Sequence, residues 1–543
     1  MKVDKSQSWN MSIGEFFKEA VERNATSVFI EISGQKVTYQ ECFDRSLRTA
    51  SMFKTLGIAK GDRVALFLPN CPEFLYCWFG LSMIGAVSVP INTAYKRDET
   101  FYILDNAEAS ALVAHQSLLT VAGPASEIAN KLISKLYVLD ENVDDQLTTT
   151  NLNGWRDFYE CWNYQPPADI DDTVLPDDIS MLVYTSGTTG NPKGVQVTHL
   201  MYVAAGQGFA YWTDATSSDR FFTCLPYFHA NAQYYSTMGT MAAGATLIVE
   251  SRFSASRFWA QVKESRATVV NFIGMMMPVL SKQPSSDDDR DNRVRLFYGS
   301  PAFSKEFLEA FQHRFGTEVI VGFGMTETCY GTIESLGESR RSNSSGLPRR
   351  HPNEAFENLL KIADDLGNKL PTGQIGEISI KNPAITPGYW RNEEQSRSSL
   401  RDGWLYTGDL GWLDDDGYLY FIDRKKDVIR RRGENISSQE VEDVIKRHTS
   451  VLDCAVIAVP SELGEDEVKA YVLPRDGIEL EAEEIVYWCA DNLAYFKVPR
   501  YIELREDLPR TPSLRVRKDV LRQEREDLIQ GCFDREQAGI NIR

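Results

Sequence analysis

Between Tyr184 and Val195 the chain reads Tyr-Thr-Ser-Gly-Thr-Thr-Gly-Asn-Pro-Lys-Gly-Val. Gly187 and Gly190 let backbone N–H groups come close to an anion. The hydroxyls of Thr185, Ser186, Thr188 and Thr189 add donors, and Lys193 adds a full positive charge. That composition suits a polyphosphate. It is not a Walker A loop, which needs Lys followed by Ser or Thr; here Pro192 precedes Lys193 and Gly194 follows it. An ordinary Gly/Thr surface loop is the plain alternative. Farther along, Phe323-Gly-Met-Thr-Glu-Thr328 sets one carboxylate among hydroxyls. Mg²⁺ on nucleotide phosphates takes one or two carboxylates plus substrate oxygens, so Glu327 fits that role. Alone, the same hexapeptide also reads as a helix N-cap. Tyr406-Thr-Gly-Asp409 has the composition of a tight turn. Arg424 to Arg432 gathers Arg424, Lys425, Lys426, Arg430, Arg431 and Arg432 against Asp427 alone. It reads as an anion site or as a solvated charged loop.

The elements that must position these residues follow from periodicity. Ile179–Tyr184 is a mostly apolar run that leads into the first motif as a buried strand. Ser12-Ile-Gly-Glu15 is a capping box, and Ile13, Phe16, Phe17 and Ala20 share one face of the helix behind it. Strand-like Val28–Ile32, a helix from Tyr39 to about Leu56 stopped by Gly57, strand Arg63–Leu68, helix Glu73–Met83 and strand Ala86–Ile91 then alternate. The pattern recurs through Thr246–Val249, Thr268–Asn271 and Val319–Phe323. Such alternation predicts α/β layers with parallel-rich sheets. From about 345 to 422 short strands, such as Ile375–Ile380 and Tyr418–Ile422, are separated by Gly/Asp turns, and a small β-rich subdomain is expected. Beyond it, helix Ser438–Lys446, strands Cys454–Val459 and Val468–Leu473, helix Ala482–Asn492 and strand Tyr501–Leu504 make an α+β unit of ordinary domain size. The acidic run Ser285–Asp291 reads as a solvated loop.

Length and charge bound the rest. A chain of 543 residues implies more than one domain. Its net charge of −19 argues against nucleic acid as a general partner, and requires any anion site to be locally basic. Nine scattered cysteines without a CxxC pair fit a reduced compartment and offer no zinc pattern. Met1–Asn10 lacks a signal core, and the longest apolar-rich runs, such as Val269–Leu280, are too short to span a bilayer, so a cytoplasmic protein is expected.

The string from Tyr184 to Val195 resembles the phosphate loop of the adenylate-forming superfamily, whose members include acyl-CoA synthetases, luciferases and peptide-synthetase adenylation domains. The weaker motifs occur in that family's order, so the resemblance covers most of the chain. It is closest in texture to carnitine/crotonobetaine-type CoA ligases, on Asn70-Cys-Pro-Glu-Phe74, Cys77-Trp-Phe-Gly-Leu81, Phe323–Glu327, Phe496-Lys-Val-Pro499 and Phe533–Gly539. The resemblance implies an N-terminal domain over 1–423 that includes a small distorted β-barrel, and a mobile C-terminal domain over 424–543 hinged near Lys426. It implies ATP, Mg²⁺ and CoA as cofactor and co-substrates, and a small carboxylic acid as substrate. Thr185 to Gly190 with Lys193 would hold phosphates, Thr326 would touch phosphate, and Glu327 would touch Mg²⁺. Gly299, Ser300 and Pro301, the stretch Gly322, Phe323, Gly324 and Met325, and Asp409, Ile422 and Arg424 would complete the nucleotide site. His229 would gate an acyl pocket whose candidate lining is Asn231, Gln233, Tyr234, Tyr235, Phe272, Met276, Tyr298, Phe323 and Tyr330. Several of these are aromatic and suit an aryl acid or a quaternary ammonium held by cation–π contact. Lys426, Arg432, Gly433 and Glu434 would line the CoA tunnel. Oligomeric state stays open between monomer and homodimer.

One departure stands out. Where the family has Pro-Ser/Thr-Gly-Lys, this chain has Pro512-Ser-Leu-Arg515. Arginine keeps the charge and can fork onto phosphate and carboxylate, but it is longer and planar. Arg515 is therefore the expected adenylation cation. A register shift to Lys518 is the alternative, and it would misplace Val516. The expected reaction is acyl-adenylate formation followed by transfer to CoA. Transfer to an amine, or a nucleotide-binding relative with weakened adenylation, are the competing readings.

Overall fold

The computed structural model describes residues 10–542 apart from 33, 130, 140–153, 164, 186–191, 274–275, 301, 338–340, 425–427, 462–463, 476, 510–515 and 517, with backbone alone described at 422–424, 428, 435, 437, 439 and 519. The chain divides into two compact units. The first holds Met1–Thr93, Phe101–Tyr184 and Gly194–Asp423; the second holds Ala94–Thr100, Thr185–Lys193 and Arg424–Arg543.

The first unit is an α/β body. Its nine-stranded sheet runs in the order 347–348, 328–333, 318–325, 296–300, 269–273, 220–223, 246–249, 28–32, 35–38. Strands from Glu318–Met325 across to Val28–Ile32 are parallel, and the outer pairs are antiparallel. A second sheet of seven strands carries Ile179–Thr185 beside Lys193–Thr198 near one edge. The expected capping box forms: Ser12 Oγ accepts from Glu15 N–H at 3.3 Å, and Ser12 N–H donates to Glu15 Oε2 at 2.7 Å. The helix it starts, Ile13–Asn24, buries Ile13, Phe16, Phe17, Ala20 and Val21. Thr38 and Glu41 repeat the device ahead of Tyr39–Thr55, and Pro72 opens Pro72–Met83. That last helix is buried almost all round, Trp78 completely, because packed elements surround it. Each large apolar side chain so buried contributes about 1.5–3 kcal/mol.

An antiparallel sheet of Leu359–Ala363, Gly376–Lys381, Trp404–Leu413, Leu400–Arg401 and Leu419–Arg424 forms the β-rich part as a curled half-barrel. The apolar run from Val269 splits into strand Val269–Ile273 and helix Met276–Ser281. The acidic run is not merely solvated. Asp287–Arg290 is a 3-10 turn capped by Ser286, and Asp289 takes Arg314 at 2.7 Å, which ties the run to helix Lys305–Phe315.

In the second unit, Val451–Pro460 pairs antiparallel with Asp466–Pro474, which pairs parallel with Tyr501–Leu504. Helices Ser438–Lys446 and Ala482–Asn492 bury Val441, Val444, Ile445, Ile485 and Val486. Lys469 is fully buried against Glu503 at 2.6 Å, so its charge is paired rather than stranded.

Candidate functional site

Glu327 occupies a turn, not a helix N-cap. Strand Glu318–Met325 pairs antiparallel with Thr328–Ile333, and the Met325–Thr328 pair leaves Thr326 and Glu327 as the two connecting residues. The turn is braced on both sides. The Thr326 carbonyl accepts from the Tyr234 hydroxyl at 2.9 Å, and the Glu327 carbonyl accepts from Thr386 N–H at 2.8 Å. Glu327 is 6% exposed, and its Oε1 accepts from the Tyr389 hydroxyl at 2.9 Å. Gly324 is exposed, and Met325 and Thr326 are partly so, which leaves the strand end open beside a braced carboxylate. Among the described residues no group of three or more His, Cys, Asp or Glu could hold a metal by itself. One carboxylate is nonetheless the donor set expected for Mg²⁺ carried in on phosphate oxygens.

Asp409 lies inside the ten-residue strand Trp404–Leu413, not in a free turn. Glu377 pairs with Leu410 and Ser379 with Tyr406, so Thr407–Asp409 bulges out of the ladder. Gly408 takes φ +75°, and its N–H donates to Glu377 Oε1 at 2.8 Å. Thr407 Oγ1 donates to the Ile378 carbonyl at 2.8 Å and accepts from Asp409 N–H at 3.1 Å. Glu377 had no motif to mark it, yet it holds the bulge that carries Asp409. Gly299 and Ser300 end strand Leu296–Ser300. A Cβ at Gly299 would lie 2.2 Å from the Phe272 carbonyl oxygen, so only glycine permits that strand approach. Gly322 and Phe323 belong to the neighbouring strand. Ile422 and Arg424 close the last strand of the half-barrel, and their backbone alone is described.

The acyl-pocket candidates fall into two groups. His229 and Asn231 are half-buried, with Asn231 Oδ1 accepting from Asn271 Nδ2 at 3.2 Å. Gln233, Tyr234, Phe272, Met276, Tyr298 and Tyr330 are buried. Gln233 accepts from the Tyr202 hydroxyl and donates to the Tyr227 carbonyl, both at 2.5 Å, so both ends of its amide are bonded within the fold. Gln233, Tyr234 and Tyr235 lie on a π-helical turn, Ala232–Thr237, a form found mostly at functional sites.

At the centre of this aromatic group is a residue that sequence reasoning passed over. Arg349 is 2% exposed. Its guanidinium donates to the Thr332 carbonyl at 2.8 Å, the Tyr235 hydroxyl at 3.1 Å, the Cys329 carbonyl at 3.2 Å and the Tyr298 hydroxyl. It also lies 4.7 Å from the Trp212 ring centre, and 5.2 and 5.3 Å from those of Tyr235 and Tyr298. Here the chain itself supplies a cation to the rings of Trp212, Tyr235 and Tyr298. A Cβ at Gly322 would sit 2.5 Å from Arg349 Nη2, so glycine is required where the strand passes the guanidinium.

In the second unit, Val428–Arg431 and Glu434–Ser437 form a hairpin whose Arg431–Glu434 pair leaves Arg432 and Gly433 as a two-residue turn. Both have positive φ, +53° and +78°, as a type I′ turn requires. Arginine is strained there and costs about 1–3 kcal/mol. Gly433 N–H donates to Glu465 Oε2 at 3.1 Å. Lys518 Nζ is 2.6 Å from Glu442 Oε1 and donates to Ser438 Oγ at 2.8 Å. Val516 packs against the cluster that contains Ala455, Ile457 and Leu521. Ser186 to Gly190, Pro301, Lys426 and Arg515 lie outside the described residues; Thr185 ends one strand and Lys193 begins the next.

Residues 17–390 match the model of the AMP-binding enzyme, and residues 440–515 that of the AMP-binding enzyme C-terminal domain. The chain is 38% identical over 501 residues to a crotonobetaine/carnitine–CoA ligase of Escherichia coli (strain SE11), covering 90% of this chain and 94% of that one. It is similar to the solved o-succinylbenzoate CoA synthetase of Bacillus subtilis, with TM-score 0.79 and 25% identity over 94% of this chain and 98% of that one. The amide bond synthetase McbA of Marinactinospora thermotolerans shares the fold, with TM-score 0.83 and 24% identity over 95% of this chain and 99% of that one. No helix among the described residues is long and apolar enough to cross a membrane. The chain belongs to the AMP-binding enzyme family and is an AMP-forming ligase.

Proposed function

We propose that this protein joins a small or medium carboxylic acid to CoA through an acyl-adenylate, with Glu327 at the metal–phosphate end of the site and Arg515 as the adenylation cation. The acid's carboxylate attacks the α-phosphate of ATP and releases pyrophosphate; the CoA thiol then displaces AMP. No covalent enzyme intermediate is needed. Catalysis rests on positioning and charge neutralisation. Thr185 to Gly190 and Lys193 bind the phosphates, Thr326 contacts them, and Asp409 accepts from the ribose hydroxyls. Glu327 is the residue that would hold Mg²⁺, which when bound neutralises phosphate charge. His229 and Asn231 are the accessible acyl-site candidates, whereas Arg349 fixes the tyrosines behind them.

The observation that supports the nucleotide half is the braced Thr326–Glu327 turn: the Tyr389 hydroxyl holds the buried Glu327 carboxylate, and Thr386 N–H holds the Glu327 backbone carbonyl. The choice of Arg515 over Lys518 is supported by Lys518 being engaged with Glu442 while Val516 packs inward, which keeps the expected register. Lys426 is the proposed hinge, and a reduced cytoplasmic setting the proposed location.

The test is AMP release measured over a panel of acids, including crotonobetaine, carnitine, benzoates and fatty acids, with CoA or amines supplied separately. Turnover with CoA is expected; turnover with amines and not with CoA would overturn the reading. Arg515→Lys should keep or raise pyrophosphate release. Total loss would show a site built around arginine, and unchanged release in Arg515→Ala would remove Arg515 from the chemistry.

A further inference from the structure

We infer that the second unit carries a phosphate site of its own, in the cavity of about 310 Å³ between the Arg431–Arg432 hairpin and the segment Gly539–Ile542. That volume is at the lower end for small-molecule sites. Arg431, Arg432 and Arg535 line it, with Glu536 among them and Tyr495 at its edge. Arg431 is 2% exposed and Arg535 5%. Arg431 Nη2 and Arg535 Nε are buried and make no hydrogen bond among the described residues. Buried guanidinium donors left open in a cavity wall are costly unless a ligand takes them.

Glu536 acts as the resident counter-ion. Its carboxylate lies 3.3 Å from Arg500, 3.4 Å from Arg432, 3.7 Å from Arg535 and 3.9 Å from Arg431. Of these four contacts among the described residues only that with Arg432 is a hydrogen bond to Glu536, while Arg431 Nη1 donates instead to the Phe496 and Val498 carbonyls at 2.8 and 3.1 Å. Glu467 stands 2.6 Å from Arg431 Nε, and Asp534 3.1 Å from Arg500. Four guanidiniums thus face three carboxylates, and the excess is positive. Three or more acceptor oxygens with up to two negative charges would match this fork arrangement better than one carboxylate does. The ligand class is a phosphate dianion, either a phosphomonoester such as the terminal 3′-phosphate of CoA or free inorganic phosphate. The CoA source rests on the proposed acceptor; the phosphate site itself does not.

Calorimetric titration of the full-length protein with CoA, dephospho-CoA and inorganic phosphate tests this without turnover. CoA should bind about tenfold or more tighter than dephospho-CoA, the scale of one charge-assisted contact. Arg535→Gln should shrink that ratio toward one. Glu536→Gln, at a side chain 38% exposed, removes the competing carboxylate and should widen it. A purely structural role for the cluster would not move the two variants in opposite directions. If the ratio is insensitive to both but inorganic phosphate weakens in the first variant and tightens in the second, the site stands with free phosphate as its ligand. If Arg535→Gln fails to fold, Glu536→Gln decides alone. Unchanged affinity for all three ligands in the variants overturns the proposal. Tight CoA binding with no CoA-dependent AMP release would instead sink the proposed acceptor and leave the pocket intact.

Discussion

Replacing Lys518 by methionine separates two ways of supplying the adenylation cation. In the structure the Lys518 ammonium is 2.6 Å from Glu442, whose side chain is 6% exposed, while that of Lys518 is 16% exposed. Removing one partner of a buried ion pair costs about 3–5 kcal/mol, because the other charge is stranded. Glu442 would keep the Val456 N–H at 2.8 Å and the more distant Lys446 at 3.9 Å, so the loss should be toward about 2–3 kcal/mol. For a unit of this size each kcal/mol moves a melting midpoint by about 4 °C, which puts the expected shift near 10 °C. Adenylation should slow as well, since Lys518 anchors the chain three residues beyond Arg515, but Lys518→Arg should restore both properties. Arg515→Met should show the reverse signature: pyrophosphate release collapses with little change in melting. Differential scanning calorimetry and a pyrophosphate-release assay on the same preparations measure both. If Lys518→Met melts like the parent yet releases no pyrophosphate, while Arg515→Met stays active, Lys518 is the catalytic cation and the register argument is wrong.

Tyr389→Phe removes a hydrogen bond to a buried carboxylate; a bond to a charged group is worth about 1.5–3 kcal/mol, so adenylation should fall by about ten- to a hundredfold, read as pyrophosphate release at varied Mg²⁺. An unchanged rate would remove Tyr389 from the positioning of Glu327. Arg432→Gly relieves a positive φ and should raise the stability of the hairpin by about 1 kcal/mol while weakening CoA binding, measured by thermal melting and calorimetry. Stability and CoA affinity falling together would show that the strain is not traded for function. Burial holds the His199 imidazole down to about 4, and its Nδ1 accepts from Ile13 N–H at 3.2 Å. The folded form therefore stays neutral while the unfolded chain takes a proton below about pH 6.5, so stability should fall as pH drops from about 6.5 toward 4, by up to about 3 kcal/mol. Urea midpoints across that range should flatten in His199→Gln, and parallel curves would assign the acid sensitivity elsewhere.

Much of the architecture was legible because it depends on neighbours in sequence. Ser12 with Glu15, and the apolar spacing of Ile13, Phe16, Phe17 and Ala20, specify a helix whatever lies beyond it. Helix Ser438–Lys446 and strand Tyr501–Leu504 were also read correctly from periodicity. The family was legible because glycines, hydroxyls and a lysine crowd into one short stretch of sequence. The sequence left alternatives open where distant partners decide. The hexapeptide at Glu327 has the composition of an N-cap, but pairing of Met325 with Thr328 makes it a hairpin turn. Tyr406–Asp409 has the composition of a turn, but its ladder with Glu377–Ile380 makes it a bulge. That Tyr235 and Tyr298 would receive the guanidinium of Arg349, more than fifty residues later in the chain, had no local signal.

By itself, then, the sequence determined the family chemistry, the alternation of many strands and helices, and the replacement of lysine by Arg515. Those depend on residue type and short spacing, which a linear chain displays openly. Only the tertiary structure decided that Tyr389 braces Glu327, that Glu377 holds the Asp409 bulge, that Lys518 belongs to Glu442, and that Arg431, Arg432 and Arg535 converge beside Glu536. Each joins groups far apart in sequence, and no local pattern encodes which buried charge will meet which partner once the chain has packed.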